Sequence, residues 1–250
     1  AVLTVTDAAT VAQFDTLNAA TSSAIVLTGG VSDVAASYAA ANGTTTSSLT
    51  AIAAQDGDAV LTVTDAATVA QFETLDAATS SAIVLAGGIS DTAANLAPSG
   101  TKTSGFTAAS TQDTDVAVTI TGTDPSVAEF NAIAAATSGV VSASISDNIS
   151  NLGSIVAAAT DAITVTVTDA VSVAQFNTLD AKTSVDIVLT GGVSDVAASY
   201  AAANGTTTSG LTAIAAQDTN AVLTVTDAAT VAQFETLDAA TSSAIVLAGG

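Results

Sequence analysis

An internal repeat constrains this chain more than any other feature of its sequence. The segment 1–14, AVLTVTDAATVAQF, recurs unchanged at 59–72 and at 221–234. A longer segment, 31–72, returns at 193–234 with three changes. The phenylalanine that closes the short segment recurs at Phe14, Phe72, Phe130, Phe176 and Phe234. Self-similarity at a fixed period is typical of repeat architectures, so a 58-residue unit and a 162-residue super-repeat organise the chain.

Each 58-residue unit divides into two half-repeats, and each half-repeat opens with an apolar residue, Ser or Thr, and Asp. These tripeptides are Val5-Thr6-Asp7, Val31-Ser32-Asp33, Val63-Thr64-Asp65, Ile89-Ser90-Asp91, Ile145-Ser146-Asp147, Val167-Thr168-Asp169, Val193-Ser194-Asp195 and Val225-Thr226-Asp227, with a degenerate copy at Thr123-Asp124. Successive Asp residues are about 22–33 residues apart, which is the length of one solenoid coil. The spacing predicts an α/β repeat solenoid of parallel strands and short helices, with about nine coils of 22–33 residues.

The chain starts and stops in the middle of this pattern. It begins at Ala1 without an initiator Met, and it ends at Gly250. We therefore expect residues 1–250 to be one continuous solenoid segment cut from a longer repeat array, so targeting signals can lie outside it.

One half-repeat shows how a coil is expected to form. Residues 61–64 alternate apolar and hydroxyl side chains, which predicts a strand with Leu61 and Val63 facing inward. Asp65 is then expected to cap a helix over residues 66–75. Val69, Phe72 and Leu75 fall on one side of that helix and predict a core-facing stripe.

The residues that follow predict a return strand and a turn. Residues 82–85 are apolar on both faces, which is typical of a buried parallel strand, and Gly87-Gly88 is expected to turn the chain. In the second half-repeat we expect a short helix over 33–38, a helix or a strand over 49–54, and a turn over 55–58.

The composition excludes several classes of function. The chain has no His, Cys, Met, Trp or Arg, so imidazole acid–base catalysis, thiol chemistry and His or Cys metal sites are impossible. The only cations among its side chains are Lys102 and Lys182, against 23 acidic residues and a net charge of −21, which excludes nucleic acid as a partner. No apolar run approaches the roughly 20 residues of a transmembrane segment. We predict a protein that is not an enzyme and has no catalytic residues.

Three equivalent turns carry the candidate metal ligands. They read Asp56-Gly57-Asp58, Asp113-Thr114-Asp115 and Asp218-Thr219-Asn220. Acidic oxygens at alternate positions of a loop suit calcium, so Asp56, Asp58, Asp113, Asp115 and Asp218 are the candidate ligands and calcium is the only candidate cofactor. The alternative is an ordinary polar turn before a strand, where Asp, Asn and Gly are common.

The segments VTDAATVAQF and ISDTAANL resemble the Ala/Thr-rich repeats of giant secreted bacterial cell-surface proteins, particularly cyanobacterial ones, of the S-layer-like and RTX-adhesin-like kinds. The similarity runs through all nine half-repeats. This resemblance implies secretion to the cell surface, calcium-dependent order and an extracellular role.

The leading hypothesis is a structural protein that forms part of an extracellular layer, fibre or filament. Its expected partners are copies of itself or neighbouring repeats, and cell-surface polysaccharide is a further candidate partner. A first alternative is a rigid spacer that holds the binding head of a giant adhesin away from the cell. A second alternative is ice binding by Thr-x-Thr strands, at Thr4/Thr6, Thr62/Thr64, Thr119/Thr121, Thr164/Thr166 and Thr224/Thr226.

Overall fold

The computed structural model describes residues 1–183 and 186–249, in which short strands alternate with short helices. The strands are β1 (Val2–Val5), β2 (Ala24–Leu27), β3 (Val31–Asp33), β4 (Leu61–Val63), β5 (Val84–Leu85), β6 (Ile89–Thr92), β7 (Val118–Thr121), β8 (Val141–Asp147), β9 (Ala162–Val167), β10 (Ile187–Leu189), β11 (Val193–Asp195), β12 (Leu223–Val225) and β13 (Ile245–Leu247). The α-helices are α1 (Val11–Ala20), α2 (Ala35–Tyr38), α3 (Ser47–Gln55), α4 (Val69–Asp76), α5 (Ala93–Leu96), α6 (Ser104–Gln112), α7 (Val127–Ala134), α8 (Ile149–Leu152), α9 (Val173–Asp180), α10 (Ala197–Tyr200), α11 (Ser209–Gln217) and α12 (Val231–Ala240). A 3-10 turn, Pro98–Gly100, follows α5.

The chain divides into two compact units, of which the first comprises residues 1–123 and 132–141. In this unit β1 pairs with β2, β4 lies between β3 and β5, and β6 pairs with β7, and every one of these pairings is parallel. Each of these pairings joins a strand to the next strand along the chain. The register joins Val2 to Ala24, Val31 to Leu61, and Ile89 to Val118, so paired residues are 22 to 30 positions apart.

The second unit comprises residues 124–131 and 142–250. Here β9 lies between β8 and β10, and β12 lies between β11 and β13, again in parallel. The register joins Val165 to Ile187 and Leu223 to Ile245, both 22 positions apart. Parallel neighbours need a crossover connection, and the short helices lie within these connections. The architecture of each unit is therefore α/β, with open parallel sheets and short helices, as the sequence predicts.

Small aliphatic side chains and single phenylalanines form the core. In β4 Leu61 and Val63 are buried and Thr62 is partly exposed, which confirms the predicted alternation. The predicted stripe of α4 is confirmed too, since Val69, Phe72 and Leu75 are all buried. Five phenylalanines of the core have no exposed surface: Phe14, Phe72, Phe106, Phe130 and Phe176.

The boundaries of the first helix of the repeat differ from the sequence prediction. Helix α4 begins at Val69 rather than at residue 66 and ends at Asp76, one residue later than expected. The reason is that the extended segment continues past Asp65. Ala67 forms a parallel bridge with Ile89, its amide donating to the Gly88 carbonyl at 3.0 Å, so helical geometry starts only after this bridge.

Two further local predictions have definite outcomes. Only Val84–Leu85 of the segment 82–85 forms a strand, and Val84 is 44% exposed, so the prediction of burial on both faces is wrong. This sheet covers a core on one side only. In the second half-repeat the segment 49–54, expected as either a helix or a strand, is helical and belongs to α3, because Thr46 caps it by accepting from the Leu49 amide.

Candidate functional site

Six of the repeated Asp residues cap helices, and each of these six caps a helix of the preceding half-repeat. Asp33 Oδ2 accepts from the amide of Val11, the first residue of α1, at 3.0 Å and 22 positions earlier in the chain. Asp65 Oδ1 accepts from the amide of Ala35, at the start of α2, at 2.6 Å and 30 positions earlier. The prediction that Asp65 caps the following helix is therefore wrong. That helix is capped by Thr68, whose hydroxyl accepts from the Gln71 amide.

The same bond joins other pairs of half-repeats within each unit. The further pairs are Asp91 with the Val69 amide (3.0 Å), Asp169 with Ile149 (2.8 Å), Asp195 with Val173 (3.0 Å) and Asp227 with Ala197 (2.7 Å). The first amides of a helix have no partner inside the helix, and a carboxylate is a favourable acceptor there. Each of these tripeptides thus ties the start of one helix to the next half-repeat along the chain.

Some of these carboxylates use both of their oxygens. The second oxygen of Asp91 accepts from the Thr92 amide at 2.8 Å and from Asn95 Nδ2 at 2.7 Å. Asp33 makes the matching bonds to the Val34 amide and the Ser37 hydroxyl. A carboxylate whose two oxygens are both hydrogen-bonded in this way fixes the position of the backbone on either side of it.

The candidate metal ligands lie in the turns that directly follow helices α3, α6 and α11. Asp56 follows α3, and its Oδ2 accepts from the Leu27 amide at 2.6 Å. The neighbouring Gln55 Oε1 accepts from the Ile25 amide at 3.1 Å. These two side chains accept from amides on the outer edge of β2. Without them, those amides would have no hydrogen-bond partner.

The Gln-Asp dipeptide does the same at the other two turns. Gln112 accepts from the Ile83 amide at 2.9 Å, and Asp113 accepts from the Leu85 amide. Gln217 and Asp218 accept from the amides of Ile187 and Leu189, at 3.1 and 2.8 Å. Sequence reasoning considered only the acids and missed the glutamines, although the dipeptide Gln-Asp at all three turns is a visible signal.

The structure brings together the two acids of each of the first two turns and shifts the pKa values of Asp56, Asp58 and Asp113. The pKa of Asp58 is raised because it shares a hydrogen bond with Asp56 and lies beside its charge. Partial burial acts to raise the pKa of Asp56, but hydrogen bonds from the Leu27 amide and from Asp58 outweigh it and the pKa is lowered. The pKa of Asp113 is raised by partial burial, and then by the hydrogen bond and charge of Asp115.

The third turn replaces the second acid with an amide. Asn220 stands in the position of Asp58 and Asp115, and its backbone amide donates to Asp218 Oδ1 at 2.9 Å. Calcium takes about 6–8 oxygen ligands, whereas each of the first two turns offers two carboxylates, one of which already accepts a backbone amide. Among residues 1–183 and 186–249, no group of three or more acidic side chains is placed to hold a metal ion.

The Thr-x-Thr strands do not form continuous ranks of threonine. Thr62 lies between Ser32 on β3 and Val84 on β5, and Thr224 lies between Ser194 and Val246 on the matching strands of the second unit. Serine and valine therefore interrupt the rows.

Comparisons with known proteins give no family assignment: no family model, curated protein or solved structure matches this chain. Among the helices in the described part of the chain, none has the length and apolar character needed to cross a membrane.

Proposed function

We propose that the protein is a non-enzymatic structural repeat protein of the bacterial cell surface, where it forms part of an extracellular layer, fibre or filament. In this proposal the half-repeats of each unit are coils of a solenoid, about nine in the chain. Partners are copies of the same protein or neighbouring repeats, and cell-surface polysaccharide is a further candidate.

One observation carries the proposal: strands pair in parallel with the next strand along the chain, at offsets of 20 to 30 positions, within both units. The Asp caps cross the same intervals, so backbone pairing and side-chain bonding both join consecutive half-repeats. Such a chain gains stability with each added neighbour, which suits a mechanical element. Its acidic, hydroxyl-rich exterior keeps a core of small aliphatic residues soluble.

Electron microscopy of the purified protein, with and without calcium, tests the proposal. We expect ordered lateral or end-to-end contacts between copies, seen as a lattice or as fibres. Particles that stay separate under all conditions would favour the spacer of an adhesin instead. Ice binding predicts thermal hysteresis, and its absence at high protein concentration would remove that alternative; the interrupted threonine rows already argue against a flat ice-binding array.

Calcium is proposed at the two turns that carry paired acids, Asp56/Asp58 and Asp113/Asp115, with Asp218 as a weaker single-acid position. Oxygen ligands from a second molecule would complete the coordination, which links the ion to assembly. We expect calcium to raise the melting temperature and a chelator to reverse the rise. Asp58→Asn with Asp115→Asn should abolish the response, whereas Glu235→Gln, which alters an exposed acid away from these turns, should keep it. A melting temperature unaffected by calcium and chelator in the unmodified protein would contradict the proposal.

A further inference from the structure

The tripeptide Asn-Gly-Thr occurs twice, at the same place in two half-repeats. The copies are Asn42-Gly43-Thr44 in the first unit and Asn204-Gly205-Thr206 in the second. Asn, then any residue except proline, then Ser or Thr is the acceptor sequence for N-linked glycans. The chain holds one further sequence of this kind, Asn148-Ile149-Ser150. The acceptor rule treats the three sites alike, whereas the structure distinguishes between them.

The two Asn-Gly-Thr copies form the same tight turn. In the first unit the Gly43 amide donates to the Ala40 carbonyl, and the Ala40 amide donates to the Thr44 carbonyl, both at 2.8 Å. The turn at Gly205 has the same two bonds, again at 2.8 Å. Gly43 has a φ of +81° and Gly205 a φ of +84°, a region that favours glycine. The middle residue of the acceptor sequence therefore suits the turn.

The next helix along the chain holds each turn through its backbone. Thr74 Oγ1, on α4, donates to the Gly43 carbonyl at 2.7 Å, and Thr68 Oγ1, at the cap of the same helix, donates to the Ala41 carbonyl at 2.8 Å. The equivalent threonines of α12 and its cap make the same two bonds in the second unit. These contacts use main-chain carbonyls of the turn, so they leave the Asn side chain available.

Both asparagines present their side chains at the surface. Asn42 and Asn204 are exposed, and so are Thr44 and Thr206. The Oδ1 atom of each Asn accepts from the amide of the Thr two positions later, at 3.1 Å, which fixes the orientation of the side-chain amide. Within residues 1–183 and 186–249, neither the Nδ2 atoms of these asparagines nor the hydroxyls of these threonines have a hydrogen-bond partner. The acceptor nitrogen and the hydroxyl that the acceptor sequence requires are therefore open to solvent.

The third acceptor sequence has a different environment. Asn148 is only partly exposed, and its Oδ1 accepts from the Asn151 amide at 3.0 Å to cap α8. Ile149 is buried, and Ser150 lies in the first turn of the helix. This asparagine thus has a structural role at a helix start, in place of a free position in an exposed turn.

We propose that Asn42 and Asn204 are sites of N-linked glycosylation and that Asn148 is not. The donor is an oligosaccharide joined through diphosphate to a polyprenyl lipid, and a transferase of the cell catalyses the step. Asn Nδ2 attacks carbon C1 of the first sugar, the bond from C1 to the phosphate oxygen breaks, the lipid diphosphate leaves, and Nδ2 loses one proton. No oxidant or reductant takes part. The inference rests on the proposed function, because this transfer takes place outside the cytoplasm.

Mass spectrometry of the protein purified from its natural source tests the inference, because the donor and the transferase are then present. Chymotrypsin releases the peptides 39–49 and 201–211, which differ in mass because Ser48 of the first is replaced by Gly210 in the second. We expect electron-transfer fragmentation to place sugar on the Asn of both peptides and none on Asn148. Unmodified peptides, sugar confined to the neighbouring threonines, or equal modification of Asn148 would overturn the inference.

Variants of one threonine test the acceptor sequence itself. Thr44→Ala should remove the sugar from Asn42 and leave that on Asn204, whereas Thr44→Ser, which keeps the hydroxyl, should retain both. The matched control is Thr45→Ala, which changes the next exposed threonine, outside the acceptor sequence. Undiminished sugar at Asn42 in the Thr44→Ala protein would contradict the assignment.

The location of the protein separates failure of this inference from failure of the proposed function. Protease added to intact cells digests proteins at the cell surface. Protein that the protease reaches, but whose Asn42 and Asn204 carry no sugar, would overturn the inference and leave the proposed function intact. Protein that the protease does not reach would contradict the proposed function, and unmodified asparagines in that protein would overturn the inference as well.

Discussion

At the scale of single residues, side-chain oxygens accept hydrogen bonds from amides that have no backbone partner at helix starts and sheet edges. Asp65 reaches the Ala35 amide and Gln55 reaches the Ile25 amide, each 30 positions away in the chain. Tyr38 acts in the opposite sense, because its buried hydroxyl donates to the carbonyls of Val31 and Thr62, at 2.9 and 3.1 Å. Burial, and then the charge of Asp33, raise the pKa of Tyr38, so the phenol stays a neutral donor.

The first prediction concerns the cap between half-repeats. Asp65→Ala should lower the free energy of unfolding by about 1–2 kcal/mol, because the Ala35 amide loses its acceptor. Asp7→Ala is the matched control: Asp7 lies in the identical segment 1–14, but it precedes the first helix, α1. It should change stability by less than about 0.5 kcal/mol. Urea unfolding followed by circular dichroism measures both, and equal losses would contradict the capping role.

The second prediction concerns pH. The raised pKa of Asp58 means that the folded state holds a proton more tightly than the unfolded state, whose carboxyl titrates near pH 3.9. Stability therefore falls as pH rises from about 3.9 through the folded-state pKa. Asp58→Asn removes this loss and should raise the melting temperature at about pH 7 in chelator, with no rise at about pH 3. Glu235→Gln controls for the loss of one negative charge, and an equal rise in that variant would refute the role of the pair.

At the scale of elements, close approaches of backbone fix where strands and helices stop. Gly88 has a φ of +77°, a region that favours glycine, and a Cβ there would lie 2.4 Å from the Ala117 carbonyl oxygen. Gly57, in the turn after α3, would place a Cβ no closer than 3.4 Å to any atom outside its immediate neighbours. Threonine already stands in the equivalent turns, at Thr114 and Thr219.

The third prediction follows from these two glycines. Gly88→Ala should destabilise the protein by about 2 kcal/mol or more, from the unfavourable φ together with the contact on Ala117. Gly57→Ala should be neutral or slightly stabilising, since alanine restricts the unfolded chain without a clash. Chemical denaturation of both variants measures the difference. A Gly88→Ala variant as stable as Gly57→Ala would show that the turn before β6 tolerates a side chain.

At the scale of the whole molecule, the net charge of −21 opposes folding while the many short pairings favour it. The acids are spread along every half-repeat, and two lysines cannot neutralise them. Self-repulsion of this kind is long-ranged and is screened by salt.

The fourth prediction is a salt dependence of stability. Raising NaCl from about 0.01 M to about 0.1 M shortens the Debye length from about 30 to about 10 Å. The melting temperature at about pH 7 should rise by about 2–4 °C for each kcal/mol of repulsion that is screened. At about pH 3, where most carboxyls are protonated, the same salt should have little effect. A rise of equal size at both pH values would point to a cause other than charge repulsion.

The sequence by itself determines the local elements of this protein and their order. Three local features depend only on neighbours a few residues away, so their pattern can be read from the chain. They are the alternation at Leu61 and Val63, the stripe of Val69 and Phe72, and the glycine turn at Gly88. Repetition also fixes the spacing at which parallel neighbours recur. For these features the predicted and observed structures agree to within a few residues.

The tertiary structure alone decided which groups meet. The repeat period gives the spacing of the Asp residues along the chain. It does not indicate whether Asp65 caps the helix that follows it or the helix of the preceding half-repeat. The bridge between Ala67 and Ile89 keeps the chain extended past Asp65. Helix α4 therefore begins at Val69, and Thr68 caps it. Burial likewise cannot be read from the local sequence, since Phe72 is fully buried whereas Phe234, in an identical segment, is 38% exposed. Identical sequences have identical propensities, and burial depends on what lies beside them.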